Sequence, residues 1–177
     1  MNQAYILSGL PGSGKSTFSQ KLAKKSNIVI LNADSVGEML KGDYKIYGSE
    51  KNFRKIRNIA GIMINQMIAI CVEERLDFIV DETTLKSLHR ERLIITIFRL
   101  KSTFSINLID FCSVPFKTCL ERRLKQTRGM TKKKWIEILD KMNSIYEPIT
   151  PNEIEYYSKQ YNDFHYFKVE DFKFPTK

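Results

Sequence analysis

Short apolar runs alternate along the chain with longer amphipathic stretches. Ala4-Tyr5-Ile6-Leu7-Ser8 predicts a strand that runs into glycines, and Lys15 to Lys25 then sets Phe18, Leu22 and Ala23 at helical spacing. Asn27 to Leu31 predicts a second strand, Ser35 to Leu40 a short helix, and Gly42 to Gly48 a loop. Lys51 to Arg75 predicts a long helix with an apolar stripe of Ile56, Ile59, Met63, Met67 and Ile70. Phe78-Ile79-Val80 predicts a third strand, Ser87 to Lys101 a helix, and Ile106 to Cys112 a fourth strand. Pro115 fits the first turn of a helix that continues to about Gln126. Thr131 to Tyr146 predicts one more helix, ended by Pro148 and Pro151, and His165 to Val169 a last strand. Most of the tail aromatics, Tyr156, Tyr157, Tyr161, Phe164, Tyr166, Phe167, Phe172 and Phe174, are expected to pack that strand against the core; base stacking is the alternative.

Strands separated by helices predict an α/β fold: a five-stranded parallel sheet with helices on both faces. Nearly continuous apolar strands such as Ile28 to Leu31 suit burial on both sides. The 177 residues read as a single domain over 1–177, and no internal repeat is visible. In such sheets ligands bind beyond the carboxyl ends of the strands, which makes the residues after each strand the place to look for chemistry.

Composition changes this picture in three ways. Twenty-nine Lys and Arg against twenty Asp and Glu give a net charge of +9, which favours anionic partners such as nucleotides or nucleic acid. The cysteines Cys71, Cys112 and Cys119 are odd in number and lack a CxxC spacing, so small buried hydrophobes are expected rather than a disulfide framework or a zinc site. His89 and His165 are too few and too far apart to suggest a metal site. The longest apolar stretch, Ala60 to Val72, falls short of the roughly 20 residues a membrane span needs. No signal-peptide pattern opens the chain, so a cytoplasmic protein is the expectation.

After the first strand stands Gly9-Leu10-Pro11-Gly12-Ser13-Gly14-Lys15-Ser16-Thr17, a full GxxxxGK[ST] between a strand and a helix. Its glycines let backbone amides wrap the phosphates of ATP, Lys15 reaches the β and γ phosphates, and the Ser16 hydroxyl is placed for Mg2+. After the second strand, Asp34 is either a base for an attacking hydroxyl or, with Ser35 as the other candidate, the cap of the next helix. After the third, Asp81 fits an acid that serves Mg2+ directly or through water, with Glu82 beside it; a capping role for Thr83, Thr84 or Ser87 is the alternative. After the fourth, Lys117 to Lys134 holds eight basic residues and one acid around a hinge candidate at Gly129. Arg122 and Arg128 are candidate lid residues that close over ATP, with the lid spanning about 117–147, and Lys132 to Lys134 are expected to form a solvated face. Lys41, Lys45, Lys51, Arg54 and Lys55 flank the loop after Asp34 and are candidate acceptor contacts.

Over roughly residues 3 to 150 the chain resembles the P-loop kinases grouped around phage polynucleotide 5′-kinase. The resemblance rests on the Gly9 to Thr17 loop, Asn32-Ala33-Asp34, Val80-Asp81-Glu82-Thr83-Thr84-Leu85, Val114-Pro115, Glu121-Arg122-Arg123 and Arg128-Gly129. It implies that Asp34 is the general base for a 5′-hydroxyl, that Arg122 or Arg128 is the lid arginine, and that ATP and Mg2+ are used. It also implies an acceptor with the 5′-hydroxyl end of RNA or DNA. Two positions depart from that pattern. Gly37 and Glu38 stand where the family often places an arginine for the acceptor's phosphate, and Thr84 stands where it has an asparagine. The alternatives are a small-molecule kinase acting on a nucleoside, sugar or aminoacylated tRNA, and a regulatory or toxin-like kinase.

Overall fold

Side-chain alternation in the first strand, β1 (Asn2–Ser8), decides how the sheet is covered. Ala4 and Ile6 point to one face, Tyr5 and Leu7 to the other, and all four are buried. The computed structural model describes residues 1–41, 50–100 and 103–175. After β1 come α1 (Lys15–Lys25), β2 (Val29–Leu31), α2 (Ala33–Lys41), α3 (Glu50–Glu73), β3 (Phe78–Val80) and α4 (Ser87–Leu100). Then follow β4 (Phe104–Asp110), α5 (Phe116–Lys125), α6 (Lys132–Ser144), α7 (Pro151–Gln160) and β5 (Phe164–Lys168). The strand order is β2-β3-β1-β4-β5, and every pairing is parallel. The expected architecture therefore stands.

On one face Ala4, Ile6, Phe78, Val80, Ile106 and Leu108 pack against Val36 of α2, Ala60, Ile64 and Ile68 of α3, Ile94 and Ile97 of α4, and Tyr157 of α7. On the other, Tyr5, Leu7, Ile79 and Ile109 pack against Phe18 and Leu22 of α1, joined by Phe167, Val169, Phe172 and Phe174 of the tail. A third cluster, Leu10, Leu85 and Cys119 with Met142 and Tyr146, sits beneath α5 and α6.

Four expectations need correction. The stripe on α3 is out of phase: Ile59 and Ile70 are exposed, and the buried face is Ile56, Ala60, Ile64, Ile68, Cys71 and Val72. Several isoleucines surround this helix, so periodicity alone does not say which ones face inward. Second, Asn52–Glu73 does reach membrane-span length, at a mean hydropathy of 1.2. Its inner face nevertheless lies on the sheet. Third, Pro151 opens a helix instead of closing one. It stands in the first turn of α7, where no N–H is needed, and the Thr150 hydroxyl caps that helix by accepting from the Glu153 amide at 3.2 Å. The buried Tyr157 and Tyr161 thus belong to or adjoin a helix, not a strand. Fourth, Cys112 is exposed, while Cys71 and Cys119 are buried. The expected loop at Gly42 to Gly48 lies outside the described residues.

α7 is tied down by charge as well as by aromatics. Arg90 of α4 is fully buried, and its guanidinium donates twice to Glu153 at 2.7 Å, to the Thr84 carbonyl at 3.2 Å and to the Glu147 carbonyl at 3.1 Å. Breaking such a buried pair costs about 3–5 kcal/mol, because one charge is left without compensation.

Candidate active site

β1, β3 and β2 are neighbours in the sheet, so the segments that follow them emerge side by side at one edge. That adjacency brings together Gly9 to Thr17, Asp81-Glu82 and Asn32-Ala33-Asp34. The loop after β1 turns into α1 through Gly14 at φ 106°. Gly12, at φ 87°, is confined twice: few side chains adopt that backbone, and a Cβ there would collide with the backbone carbonyl of Cys119 in α5. The loop and the first lid helix therefore touch through bare backbone.

Lys15 curls back over this loop. Its Nζ donates to the Gly9 carbonyl at 2.8 Å and the Leu10 carbonyl at 2.9 Å. Burial lowers its pKa to about 8, against an opposing pull from Asp81. Asp81 is itself buried, which raises its pKa, while a hydrogen bond from Ser16 and the charge of Lys15 act the other way. A hydroxyl and a carboxylate side by side are hard oxygen donors. Among the described residues no three His, Cys, Asp or Glu gather into a metal cluster. Two protein oxygens completed by phosphate and water suit Mg2+, which keeps most of its shell outside the protein, so Ser16 and Asp81 fit the ion.

Glu82 turns the other way. Its carboxylate accepts from the Ala33 amide at 2.6 Å and lies 3.5 Å from Arg57. It thus fastens the start of α2 to the end of β3. Burial raises its pKa in spite of Arg57.

The cap of α2 is neither Asp34 nor Ser35. β2 ends at Leu31 and α2 begins at Ala33, which places both residues inside the first turn. Asn32 is the cap: its Oδ1 accepts from the Ser35 amide at 2.9 Å, and its Nδ2 donates to the Asp81 carbonyl at 2.7 Å. Asp34 is therefore available to other partners. Arg57 of α3 donates to its Oδ1 at 2.7 Å, and Arg128 of the α5–α6 turn stands 3.5 Å from its Oδ2.

The two candidate lid arginines lie in different places. Arg122 reaches back over the loop after β1, with Nη1 3.4 Å from the Gly12 carbonyl and 3.5 Å from the Ser13 carbonyl. Arg128, at φ 46° beside Gly129 at φ 83°, faces Asp34. Lys132 to Lys134 are exposed, as expected of a solvated face. Arg54 and Lys55 are exposed too; Lys45 and the side chains of Lys41 and Lys51 lie outside the described residues.

Arg57 is the residue that sequence reading passed over. The signal was there: Arg57, Gly61, Ile64 and Ile68 fall at helical spacing on one stripe, and Ile64 and Ile68 are core. A lone cation on a core-facing stripe needs an acidic partner.

These groups surround two connected spaces. A cavity of about 800 Å3 lies between α1 and α2, lined by Ser16, Ser19, Gln20, Asn32, Ser35, Glu38, Asp81 and Arg128. A second, of about 810 Å3, runs from the loop after β1 beneath the lid to Phe111, Val169 and Phe174. Among its described lining residues seven are basic and three acidic. Such a balance favours polyanions.

The profile of the AAA_33 family, described as an AAA domain, matches residues 5–149. No curated protein sequence matches the chain. Among solved structures, the Pnkp1/Rnl/Hen1 RNA repair complex is similar at 21% identity and TM-score 0.59, with 82% of this chain and 46% of that one covered. A gluconokinase from Sinorhizobium meliloti 1021 is similar at 14% identity and TM-score 0.55, over 94% and 82% of the two chains. The PezAT toxin-antitoxin system of Streptococcus pneumoniae is similar at 12% identity and TM-score 0.61, over 97% and 69%. The chain thus belongs to the AAA_33 family, and its fold is that of the P-loop kinases.

Proposed function

We propose that this protein transfers the γ-phosphoryl group of ATP to a hydroxyl, and that the acceptor is the 5′-hydroxyl end of a polynucleotide. The observation that carries the reading is Asp34: a carboxylate not used for capping, at the same sheet edge as the phosphate loop, with the guanidinium groups of Arg57 and Arg128 on either side. In this reading the Asp34 carboxylate accepts the proton of the acceptor hydroxyl. The freed oxygen bonds to the γ-phosphorus, and the bond from that phosphorus to the β–γ bridging oxygen breaks to release ADP. Lys15 offsets charge on the transferring group, and Arg122 closes the phosphate side from the lid. Ser16 and Asp81 would hold Mg2+, which would offset negative charge on the phosphates.

Arg57 supplies from α3 an acceptor-side cation in place of the arginine that Gly37 and Glu38 lack. The net positive cleft, the +9 chain and the similarity to the structure of an RNA repair complex support a nucleic-acid acceptor. The cytoplasm is the compartment where such an acceptor and ATP meet.

A second reading is favoured by the smaller cavity. Ser19, Gln20, Asn32, Ser35 and Glu38 form a hydrogen-bonding wall that suits a small polyhydroxyl acceptor. Transfer from γ-labelled ATP to 5′-hydroxyl oligonucleotides, nucleosides and sugars separates the two. Label in oligonucleotides is the expected result; label confined to nucleosides or sugars supports the second reading. ATP binding with no acceptor labelled overturns both and points to a regulatory kinase.

A further inference from the structure

Thr84 has φ 36°, in the left-handed region that a β-branched residue enters only under constraint. Three hydrogen bonds hold it there. Its Oγ1 donates to the Leu7 carbonyl at 2.6 Å, and its carbonyl accepts from the Ser8 hydroxyl at 3.2 Å and from Nη1 of Arg90 at 3.2 Å. One residue earlier, the Thr83 carbonyl accepts from the amide of Gly9, the first residue of the phosphate loop, at 3.0 Å. Two residues before that stands Asp81, which faces Ser16 and Lys15. The turn at residues 81–84 therefore joins the two halves of the nucleotide site by backbone, and it does so in a conformation its own sequence resists.

The force that holds the turn comes from outside the site. Arg90 is held by Glu153 of α7 and the Glu147 carbonyl. Glu147 in turn accepts from the amide and hydroxyl of Ser87 at 2.8 Å, and its amide donates to the Leu85 carbonyl at 2.9 Å. These bonds anchor the segment between α6 and α7 against the start of α4, directly behind Thr84.

We propose that Thr84 and Arg90 are positioning residues for the nucleotide site. The Glu153–Arg90 pair presses the strained turn onto β1, which sets the distance between the Gly9 to Thr17 loop and Asp81. Neither residue touches the nucleotide; both act through Gly9 and Asp81. The proposal rests on the reading of that loop as the ATP site.

The test is calorimetric binding of ATP with Mg2+ to the full chain, at a temperature where circular dichroism shows each variant folded. Thr84→Val keeps the branch and loses the hydroxyl, and is expected to weaken ATP binding about tenfold, the worth of about one good hydrogen bond. Thr84→Asn, which enters the left-handed region readily and keeps a donor, is expected to stay within about twofold of wild type. Glu153→Gln loosens Arg90 and is expected to weaken binding in the same direction as Thr84→Val. Ile97→Val, a core change two turns further along α4 that removes none of these hydrogen bonds, is expected to lower Tm without moving ATP affinity. Should Thr84→Val fail to fold, Thr84→Ala, which lacks the opposing branch, carries the same comparison. Folded Thr84 and Glu153 variants that bind ATP like wild type overturn the positioning role alone. A wild-type chain that binds no ATP overturns the reading of the loop and this proposal with it.

Discussion

The proposed donor side and the proposed acceptor side of the cleft are built on different plans. On the donor side a single stretch, Gly9 to Thr17, supplies the loop amides, Lys15 and Ser16, and Asp81 and Arg122 come from elsewhere. On the acceptor side Asp34, Arg57, Glu82 and Arg128 come from four segments and meet through ion pairs. A site written in one stretch holds its geometry through local backbone. A site assembled from four depends on how whole helices dock. The donor side should therefore tolerate changes in α3, while the acceptor side should feel them at once.

The largest expected effect is on the donor side. Lys15→Ala removes the charge aimed at the transferring phosphate, and the transfer rate should fall on the order of 10²–10³. Near-normal transfer by this variant would take the loop out of the mechanism and erase the contrast. Asp34→Asn follows. The amide keeps the size of the side chain, and since Asn32 makes the cap, folding should not change. Transfer should fall by about 10² with ATP affinity intact. A lowered Tm with retained transfer would make Asp34 a structural anchor for Arg57.

The third test uses pH. Burial holds the Lys15 ammonium at a pKa of about 8 in the free protein, and a bound triphosphate favours the charged form. ATP affinity should thus be greatest below pH 8 and fall as pH rises through it, with a proton taken up on binding above that point. Calorimetry in two buffers of different ionisation heat reads the uptake; affinity flat from pH 7 to 9 would break the assignment. The same burial means that the charged lysine opposes folding below pH 8, an effect relieved as pH rises toward the unfolded value.

The smallest effect sharpens the acceptor side. Single-stranded binding should weaken with salt at a log–log slope of roughly 0.7 per phosphate contact. Arg57→Ala should flatten that slope by about one contact, and the exposed Arg54→Ala/Lys55→Ala pair should also flatten it, with ATP affinity unchanged in both. No salt dependence in the wild-type chain would remove the polynucleotide reading and leave a small acceptor.

The same contrast explains what could be read in advance. The donor loop was legible because its chemistry is contiguous, and the parallel sheet because each of the first four strands is a short apolar run followed by a helix. Asp34 could be named, but its role could not be separated from capping until Asn32 was seen to occupy the cap. Arg57 was hidden because its partners lie 23 and 25 positions away, and because Ile59 and Ile70 suggested a different inner face for α3. α7 was missed because proline carries two meanings, stop and first turn, and only the Thr150 cap distinguishes them here.

The chain contains one tryptophan, Trp135, and it lies in the first turn of α6. Its indole N–H donates to the Thr127 carbonyl at 2.6 Å, and the Arg123 guanidinium lies 4.5 Å from its ring. The ring lines the larger cavity together with Arg122 and Lys125. All indole emission therefore originates near the start of α6, beside the cation of Arg123. A fluorimeter excited at the indole band reads the surroundings of this one helix, so the packing of α6 on α5 in every variant above can be followed in real time without a label.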